Sequence, residues 1–385
     1  MRPWRRRGDT ALKVAILIDA LNQGGAERQV LNTTWALARK GCHVELIYYY
    51  EIDTAAPGYD HPAFREARVT CIPKQGRPFR FLWRLSRHLR RGRLDIVHSF
   101  KSVPTLYACL AGKMAGVPII LGGSQGEYED RGLARLGHRL VKRSLAGWIT
   151  NTRSIVETLV KEIGVRREDC FVAYNGIDPR AFASGLSKGD ARKKLGVPPG
   201  APTVTIVAGL RPIKNHRLFL DMARLVLAEI PETRFLLAGE GEMRPTLERY
   251  ARELEISGRV MFLGGRSDIP DVLAATDVSV LTSHSEGLPN ALLESMAVGI
   301  PVVTTDYAGA RELVTDGAEG FIVPRGDAAA MADRVLCLLR EERLRESMGG
   351  NGARTVAGRF SMDAMAASFL SAYHVCMARV SRASA

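Results

Sequence analysis

Short apolar runs rich in Val, Ile and Leu alternate along the chain with longer segments whose apolar residues recur every three or four positions. The first pattern is typical of buried strands and the second of amphipathic helices. Up to residue 175 this alternation predicts strands 13–19, 43–50, 68–72, 95–98, 118–121, 147–150 and 170–173, and helices 25–39, 80–91, 104–115, 133–145 and 153–163.

The alternation pauses after Asn175-Gly176-Ile177-Asp178 and starts again near residue 203. Between them, the Gly- and Pro-rich segment 196–202 is predicted to be an interdomain linker. The second series predicts strands 203–208, 234–238, 260–263, 277–281, 301–304 and 320–322, helices 215–229, 243–255, 268–274, 290–298, 309–315 and 327–348, and a last helix 361–378.

Two successive series of this kind predict an α/β protein with two doubly wound, Rossmann-like parallel sheets that carry helices on both faces. A length of 385 residues is enough for two such domains. Parallel sheets bind ligands at the carboxyl ends of their strands. Two domains that face each other are therefore expected to form a cleft, with one ligand held by each domain.

Composition narrows the class of protein without changing this picture. Hydrophobic residues make up 46% and charged residues 25% of the chain, as in ordinary globular proteins. No run approaches the roughly 20 apolar residues of a membrane-spanning helix. Lys13 and Asp19 interrupt the apolar run near the N-terminus, so a signal peptide is not expected. The six scattered cysteines are expected to be free thiols in a reducing cytosol.

Charge is distributed unevenly between the two halves of the chain. The net charge is +13, and residues 1–180 account for all of it, with 30 Lys and Arg against 17 Asp and Glu. A general effect on solubility would not concentrate the excess in one half. We therefore expect the first half to meet an anionic partner.

Three segments follow strands directly and carry candidate chemistry. Gly24-Gly25-Ala26-Glu27-Arg28 is either a site where a phosphate or sugar approaches the backbone or a plain tight turn. The loop 209–215, with Arg211 and Lys214, suits a diphosphate leaving group, although a solvated basic loop is the alternative.

The third segment, residues 282–294, is the most informative of the three. It holds Glu286 just before a predicted helix and Glu294 about one turn inside it, with Gly287 permitting a tight turn between them. Backbone amides and the positive end of the helix favour anionic ligands there. We predict that both carboxylates hold ligand hydroxyl groups rather than lying on the surface.

The motifs of this region resemble those of glycosyltransferase family 4. The resemblance rests on 282–324, including Ser285-Glu286-Gly287-Leu288-Pro289 and Gly320-Phe321-Ile322-Val323-Pro324, and on the segments 24–28, 95–98 and 174–178. It covers roughly residues 12–375. It implies the GT-B fold, with an acceptor-binding domain at 1–178, a nucleotide-sugar-binding domain at 179–358, and a C-terminal helix at 359–385 that packs back on the first domain.

The resemblance also implies an activity and site residues. The protein would be a retaining hexosyltransferase that needs neither metal nor cofactor and uses a nucleotide-diphosphate sugar as donor. Glu286, Lys214 and Arg211 would be catalytic. The donor would contact Gly25, Gly209, Glu240, Gly241, Arg266, Gly287, Leu288, Pro289, Asn290 and Glu294.

Two departures from the family pattern affect these roles. Gly209 stands where many members have an Arg, so Arg211 is expected to substitute for it. The segment after strand 118–121 lacks the His that many members have, so no catalytic His is assigned. The acceptor-side candidates are His98 (otherwise a satisfied buried histidine), Ser124, Gln125, Glu127 and Asn175.

The basic first half suggests where the protein works. Arginines accompany apolar residues in 79–93 and 133–148, which indicates either ordinary helices with a buried side or contact with an anionic membrane. We predict a cytoplasmic protein, peripheral on the inner face of the membrane, with a lipid-linked or polysaccharide-precursor acceptor and no nucleic-acid partner. The alternatives are a GT-B nucleotide-sugar epimerase and a non-catalytic nucleotide-binding protein.

Overall fold

The computed structural model describes residues 11–21, 24–50, 61–124 and 133–384, which form two compact units. The first unit comprises the chain up to Gly176 together with the stretch from Met362 onward, and the second comprises Ile177–Ser361. Each unit is built around one all-parallel sheet. The architecture is thus the pair of Rossmann-like α/β units that the sequence predicts.

The first unit has a seven-stranded sheet in the order β3-β2-β1-β4-β5-β6-β7. Its strands are β1 (Lys13–Leu17), β2 (His43–Tyr48), β3 (Arg68–Cys71), β4 (Ile96–Ser99), β5 (Ile119–Ser124), β6 (Gly147–Thr150) and β7 (Cys170–Val172). Its helices are α1 (Gly25–Arg39), α2 (Ala63–Glu66), α3 (Pro78–Gly92), α4 (Ser102–Ala115), α5 (Leu133–Val141) and α6 (Arg153–Thr158).

Neighbouring residues on each strand of this sheet face opposite sides, because side chains alternate along a strand. Val14 and Ile16 pack in one core with helix α1, whereas Ala15 and Leu17 pack in the other with α3 and α4. A sheet that is buried on both faces explains why its strands read as continuous apolar runs.

The second unit has a six-stranded sheet in the order β10-β9-β8-β11-β12-β13. Its strands are β8 (Thr203–Val207), β9 (Arg234–Ala238), β10 (Val260–Gly264), β11 (Val278–Leu281), β12 (Val302–Thr305) and β13 (Gly320–Val323). Its helices are α7 (Lys188–Leu195), α8 (His216–Glu229), α9 (Arg244–Glu253), α10 (Ile269–Ala274), α11 (Asn290–Ala297), α12 (Ala308–Leu313), α13 (Ala328–Arg340) and α14 (Glu342–Arg359).

The C-terminal helix α15 (Met362–Ser384) belongs to the first unit. Its residues Phe369 and Tyr373 are buried in the same core as β1 and α1. This is the return of the chain to its first unit that the resemblance implies. Helix α15 extends beyond the C-terminal end of the predicted helix 361–378.

Several predicted elements differ from the structure. The segment 196–202 is not an interdomain linker, because it joins α7 to β8 inside the second unit and buries Val197 and Ala201 in that core. The predicted helix 327–348 is two helices that break at Glu341, where the backbone leaves helical angles. The predicted helices 133–145 and 153–163 end as a short 3₁₀ turn and a π-helical turn respectively.

Two further facts bear on earlier expectations. The six cysteines are free thiols, and Cys42, Cys109 and Cys376 are buried. Within the described stretches, no helix combines the length and apolar character needed to cross a membrane.

Candidate functional site

The predicted donor residues of the second unit follow the carboxyl ends of four parallel strands. The loop 209–214 follows β8, residues 239–241 follow β9, residues 265–266 follow β10, and residues 282–289 follow β11. Parallel strands end at the same edge of a sheet, so these loops share one edge. The topology therefore brings together residues that are up to 80 positions apart in the sequence.

An ion pair joins the first and the last of these loops. The Nζ atom of Lys214 lies 2.8 Å from Oε1 of Glu286, and the hydroxyl of Ser283 donates to the same carboxylate oxygen at 2.6 Å. Both charged side chains are largely buried, at 23% and 16% exposure. This pair is one cation and one carboxylate held at the sheet edge, and a polar ligand can compete for either group.

Backbone contacts fix the position of the pair. The Thr282 hydroxyl donates to the carbonyl oxygen of Lys214 at 2.8 Å, and the amide of His284 donates to the carbonyl of Ile213 at 2.9 Å. Thr305, at the end of β12, donates its hydroxyl to the Ser283 carbonyl at 2.6 Å. Three strands of the sheet therefore hold the loop that carries Glu286.

The turn from Glu286 to Pro289 leads into α11, which begins at Asn290. Gly287, Leu288 and Pro289 are buried. Glu294 is only 2% exposed. The alternative that Glu286 and Glu294 are surface glutamates is therefore wrong.

Gly309, in α12, touches this turn and was missed in the sequence. A Cβ atom there would lie 1.7 Å from the carbonyl oxygen of Gly287, so only glycine fits. Buried Tyr307 lies nearby, and its burial together with the charge of Glu286 raises its pKa well above the ordinary value. A glycine one residue into a helix that follows a buried strand was the available signal for this close approach.

The loops after β8 and β9 pack on each other. The amide of Leu210 donates to the carbonyl of Glu240 at 2.9 Å, and the amide of Met243 donates to the carbonyl of Leu210 at 3.0 Å. Gly241 has φ +158°, and a Cβ atom there would lie 2.4 Å from the Leu210 carbonyl oxygen. Gly209 and exposed Arg211 lie in the same packed pair of loops.

The remaining donor-side candidates already form ion pairs. Glu240 pairs with Arg244 at 2.8 Å and is about half exposed. Arg266 forms two hydrogen bonds with Asp268, at 2.7 and 2.6 Å. The hydrogen bonds from Arg266 lower the pKa of Asp268 to about 2, so this pair stays charged at neutral pH.

The acceptor-side candidates lie in the first unit, and those that the structure describes have different environments. His98 is fully buried, with Nδ1 3.0 Å from the Tyr373 hydroxyl and its ring against Phe100 and Phe369. Burial lowers its pKa to about 3, so the ring is neutral. This environment favours the alternative reading of His98, a structural histidine between β4 and α15.

The other first-unit candidates are at the carboxyl edge of the sheet or undescribed. Ser124 ends β5, and Asn175 follows β7; both are buried. Gly25 begins α1 after β1. Gln125 and Glu127 lie outside the described residues.

A charged cluster at this edge was not found from the sequence. Lys101, which follows β4, places Nζ 2.9 Å from Asp19 and 2.6 Å from Glu27. Burial acts to lower the pKa of Lys101, but the two carboxylates outweigh it and raise the pKa. The signal was present, because Asp19 and Lys101 each follow one of two neighbouring strands, whose carboxyl ends meet.

A cavity of about 740 Å³ lies at the opposite edge of the second sheet. It is lined by Asp277 and Pro301, which precede β11 and β12, and by α14 residues such as Arg345. It is therefore separate from the loops that carry Lys214 and Glu286.

Comparisons with known families cover most of the chain. Residues 23–181 match Glycosyltransferase Family 4, and residues 187–355 match Glycosyl transferases group 1. The first match lies in the first unit apart from its last residues, and the second lies wholly within the second unit.

Individual relatives agree with these matches. The Escherichia coli UDP-Gal:alpha-D-GlcNAc-diphosphoundecaprenol alpha-1,3-galactosyltransferase is 28% identical over 285 residues, which are 71% of this chain and 73% of the relative. The Rhizobium meliloti lipopolysaccharide core biosynthesis glycosyltransferase LpsE is 32% identical over 58% of this chain and 62% of its own length. Anabaena HepE, solved with UDP and glucose, superposes with a TM-score of 0.81 at 20% identity, over 94% of this chain and 98% of HepE.

Proposed function

Because the chain belongs to glycosyltransferase family 4, we propose that it moves a hexose from a nucleotide-diphosphate sugar to a lipid-linked or polysaccharide-precursor acceptor, with retention of anomeric configuration and without a metal. The observation that carries the proposal is the ion pair between Lys214 and Glu286 at the carboxyl edge of the second sheet. A nucleotide sugar has an anionic diphosphate for the cation and hydroxyl groups for the carboxylate.

The proposed chemistry begins with an exchange of partners. The diphosphate replaces Glu286 as the partner of Lys214, which releases the carboxylate to accept a hydrogen bond from a sugar hydroxyl. Arg211 lies exposed in the loop that carries Lys214 and adds a second cation. Both cations stabilise the charge that develops on the leaving diphosphate, which is why the proposed reaction needs neither metal nor cofactor.

The acceptor hydroxyl then attacks the anomeric carbon on the face from which the diphosphate leaves. The bond to the acceptor oxygen forms, the bond to the diphosphate breaks, and a diphosphate oxygen takes the proton of the hydroxyl. The configuration is therefore retained without a covalent enzyme intermediate. The protein contributes orientation of both partners and electrostatic stabilisation.

Other predicted contacts keep donor-side roles in the proposal. The turn through Gly287, Leu288, Pro289 and Asn290 supplies backbone amides, and Glu294 holds the ribose. Gly209, Glu240, Gly241 and Arg266 form the base side, and Gly25 approaches the diphosphate. On the acceptor side, Ser124 and Asn175 keep their candidate roles, and Lys101 joins them as a cation at the same edge of that sheet.

Relatives support the substrate classes. HepE was solved with UDP and glucose, which favours a uridine donor among the two bases considered, uridine and guanosine. The name of the E. coli relative gives a GlcNAc-diphosphoundecaprenol acceptor, which favours a lipid-linked acceptor. The proposal therefore includes a cytoplasmic location with peripheral attachment to the inner face of the membrane, where such an acceptor is found.

Thermal-shift screening of uridine and guanosine diphosphate sugars identifies the donor, because a bound donor raises the melting temperature by mass action. Transfer of that sugar to a lipid-diphosphate-linked saccharide in the presence of a chelator then tests the reaction. We expect transfer to persist with the chelator. We also expect NMR of the product to give the anomeric configuration of the donor. A product with inverted configuration contradicts the proposal. So does a melting temperature that no nucleotide sugar raises.

A further inference from the structure

Large apolar side chains are exposed on two helices of the first unit. On α3, Phe79 is 85% and Trp83 is 56% exposed. On α5, Leu136 is 53% and Leu140 is 73% exposed. Single exposed apolar residues are ordinary, but two pairs at i, i+4 spacing form apolar stripes along the outer faces of their helices.

These helices are parts of one layer. The ring of Phe81 in α3 lies 5.0 Å from that of Tyr107 in α4, and Leu106 of α4 lies against Gly137 of α5. Helix α4, between them, exposes Leu110 and Met114 at 47% each. We call the exposed outer faces of α3, α4 and α5 the α3–α5 surface.

The charge of this surface has one sign. Helix α3 contains five arginines and no acidic residue, with a further arginine at each end. Within the described stretches, none of these arginines has a carboxylate partner at ion-pair distance. Arg84 donates to the Pro73 carbonyl and Arg90 to that of Met114, while the Arg87 guanidinium lies 5.3 Å from the centre of the Trp83 ring. Positive charge and apolar area are therefore interleaved on α3.

The cations of α5 and of the turn after it contact other parts of the first unit, as in the alternative of an ordinary helix. Arg135 pairs with Glu162, Arg139 donates to the Glu162 carbonyl at 2.9 Å, and Lys142 donates to the carbonyls of Ile163 and Gly164. These contacts attach α5 to the end of the helical segment 153–163. They fix the orientation of α5 with Leu136 and Leu140 outward.

We propose that the α3–α5 surface inserts into an anionic lipid bilayer, with Phe79, Trp83, Leu136 and Leu140 below the headgroups and the α3 arginines among the lipid phosphates. Apolar side chains interleaved with cations are the features of an interfacial membrane helix. Arginine-rich helices of two copies would repel each other, so charge argues against self-association through this surface. The proposal rests on the membrane attachment contained in the proposed function and assigns the side chains that make it.

The position of the surface bears on acceptor delivery. Helices that follow parallel strands begin at the carboxyl edge of the sheet, and Phe79 and Trp83 lie in the first two turns of α3. The α3–α5 surface therefore adjoins the edge that carries Ser124 and Lys101. A lipid-linked acceptor can present its sugar to this edge while its lipid stays in the bilayer.

Vesicle sedimentation of the full chain tests the surface directly, without donor or acceptor. Vesicles of phosphatidylglycerol and phosphatidylcholine are compared with phosphatidylcholine alone, at low and at high salt. We expect binding to the anionic vesicles only, with a part that resists salt. Phe79→Ser/Trp83→Ser should weaken this binding by roughly tenfold or more, because each aromatic side chain loses its burial in the bilayer.

The control is Leu186→Ser/Leu225→Ser, which removes two exposed apolar side chains of the second unit, at 38% and 42% exposure. It should bind vesicles like the wild type. Blue-shifted tryptophan emission on vesicles that disappears in Trp83→Phe gives an independent readout of insertion.

Equal vesicle binding by wild type and Phe79→Ser/Trp83→Ser overturns the proposal. A wild-type chain that does not bind anionic vesicles also overturns the proposal. Such a chain could instead bind duplex DNA or form dimers, and loss of either in this double variant would assign the surface to that partner. The test is independent of sugar transfer. A chain that binds vesicles but no nucleotide sugar contradicts the proposed function and leaves the surface standing, and the reverse result contradicts the surface alone.

Discussion

Lys214 and Glu286 are partners in the structure, although 71 other residues separate them in the sequence. Each residue is predicted from its own loop motif, but only the parallel sheet shows that the two form an ion pair with each other. Their pairing means that removal of one leaves the other without its counter-charge in a largely buried position. Substitution of Lys214 and substitution of Glu286 are expected to affect the binding and the transfer of a sugar donor differently.

Lys214→Met should lower transfer on the order of a hundredfold or more and raise the KM for the donor, because the diphosphate loses its cation. Glu286→Gln should lower kcat with little change in KM, since the lysine stays available to the diphosphate. Steady-state kinetics with the identified donor measures both. Arg249→Ala, which breaks an exposed ion pair in α9, is the control. Near-normal turnover in both variants would remove these residues from the reaction.

Gly309 is a second residue-scale feature, and it acts through the backbone. In Gly309→Ala the new methyl group meets the carbonyl oxygen of Gly287 at 1.7 Å, so the turn that carries Glu286 has to move. We expect a loss of stability of about 1–3 kcal/mol, as for other overpacked sites, and weaker donor binding. Gly258→Ala, which has open space around its Cβ position, should change neither. Thermal shift with and without donor separates the two effects.

The burial of His98 predicts a pH dependence of stability. Its pKa is lowered to about 3 in the folded chain, so below the unfolded value near 6.5 the unfolded state binds the proton and the folded state does not. The contribution of His98 to the free energy of unfolding of the first unit is therefore constant above pH 7 and decreases as the pH drops through 6. The contribution of His98 is about 1.4 kcal/mol per pH unit.

His98→Phe should flatten this slope, and exposed His43→Gln is the control. The second unit, residues 177–361, contains no tryptophan, so urea unfolding followed by tryptophan emission reports on the first unit. An unchanged slope in His98→Phe would show that His98 does not titrate on unfolding.

The sequence predicts a candidate site residue where that residue sits in a local motif. Glu286, Glu294 and Lys214 each lie in such a motif. Tyr307, Gly309 and the cluster of Asp19, Glu27 and Lys101 were missed, because each depends on which strands become neighbours. The sequence gives no direct measure of those distances.

At the scale of elements, every predicted strand exists. Central strands such as β1 and β4 are buried on both faces and are therefore continuous apolar runs in the sequence. Helix ends were less predictable. The break at Glu341 has no Pro or Gly to mark it, and the residues on both sides favour helix. Helix α14, which begins after this break, lies against the turn before β12 through Gly349.

Gly349 in α14 packs against Gly299, and a Cβ atom on Gly349 would lie 1.9 Å from the Gly299 carbonyl oxygen. Gly349→Ala should therefore destabilise the second unit by about 1–3 kcal/mol. The neighbouring Gly350→Ala meets only the flexible end of Arg354 at 3.6 Å. It should stabilise the helix by about 0.5–1 kcal/mol. Hydrogen exchange of α11 and α14 peptides measures both, and equal effects would contradict this packing.

At the scale of the whole molecule, the second unit is one continuous stretch that holds the loops proposed to bind most of the donor. A fragment of residues 177–361 should therefore fold alone and bind the nucleotide diphosphate. Calorimetric titration of the fragment with UDP and GDP measures this. A folded fragment that binds neither nucleotide would show that the second unit alone does not make the donor site.

The first unit, by contrast, consists of two stretches of the chain, one before and one after the second unit in the sequence. Phe369 and Tyr373 of α15 cover the sheet face on which His98 and Phe100 lie. During synthesis the ribosome makes the entire second unit before it makes α15. Until then, helix α1 covers only part of that face and the area that α15 later covers stays exposed. Chaperones and temperature therefore act on the yield of folded protein during that interval.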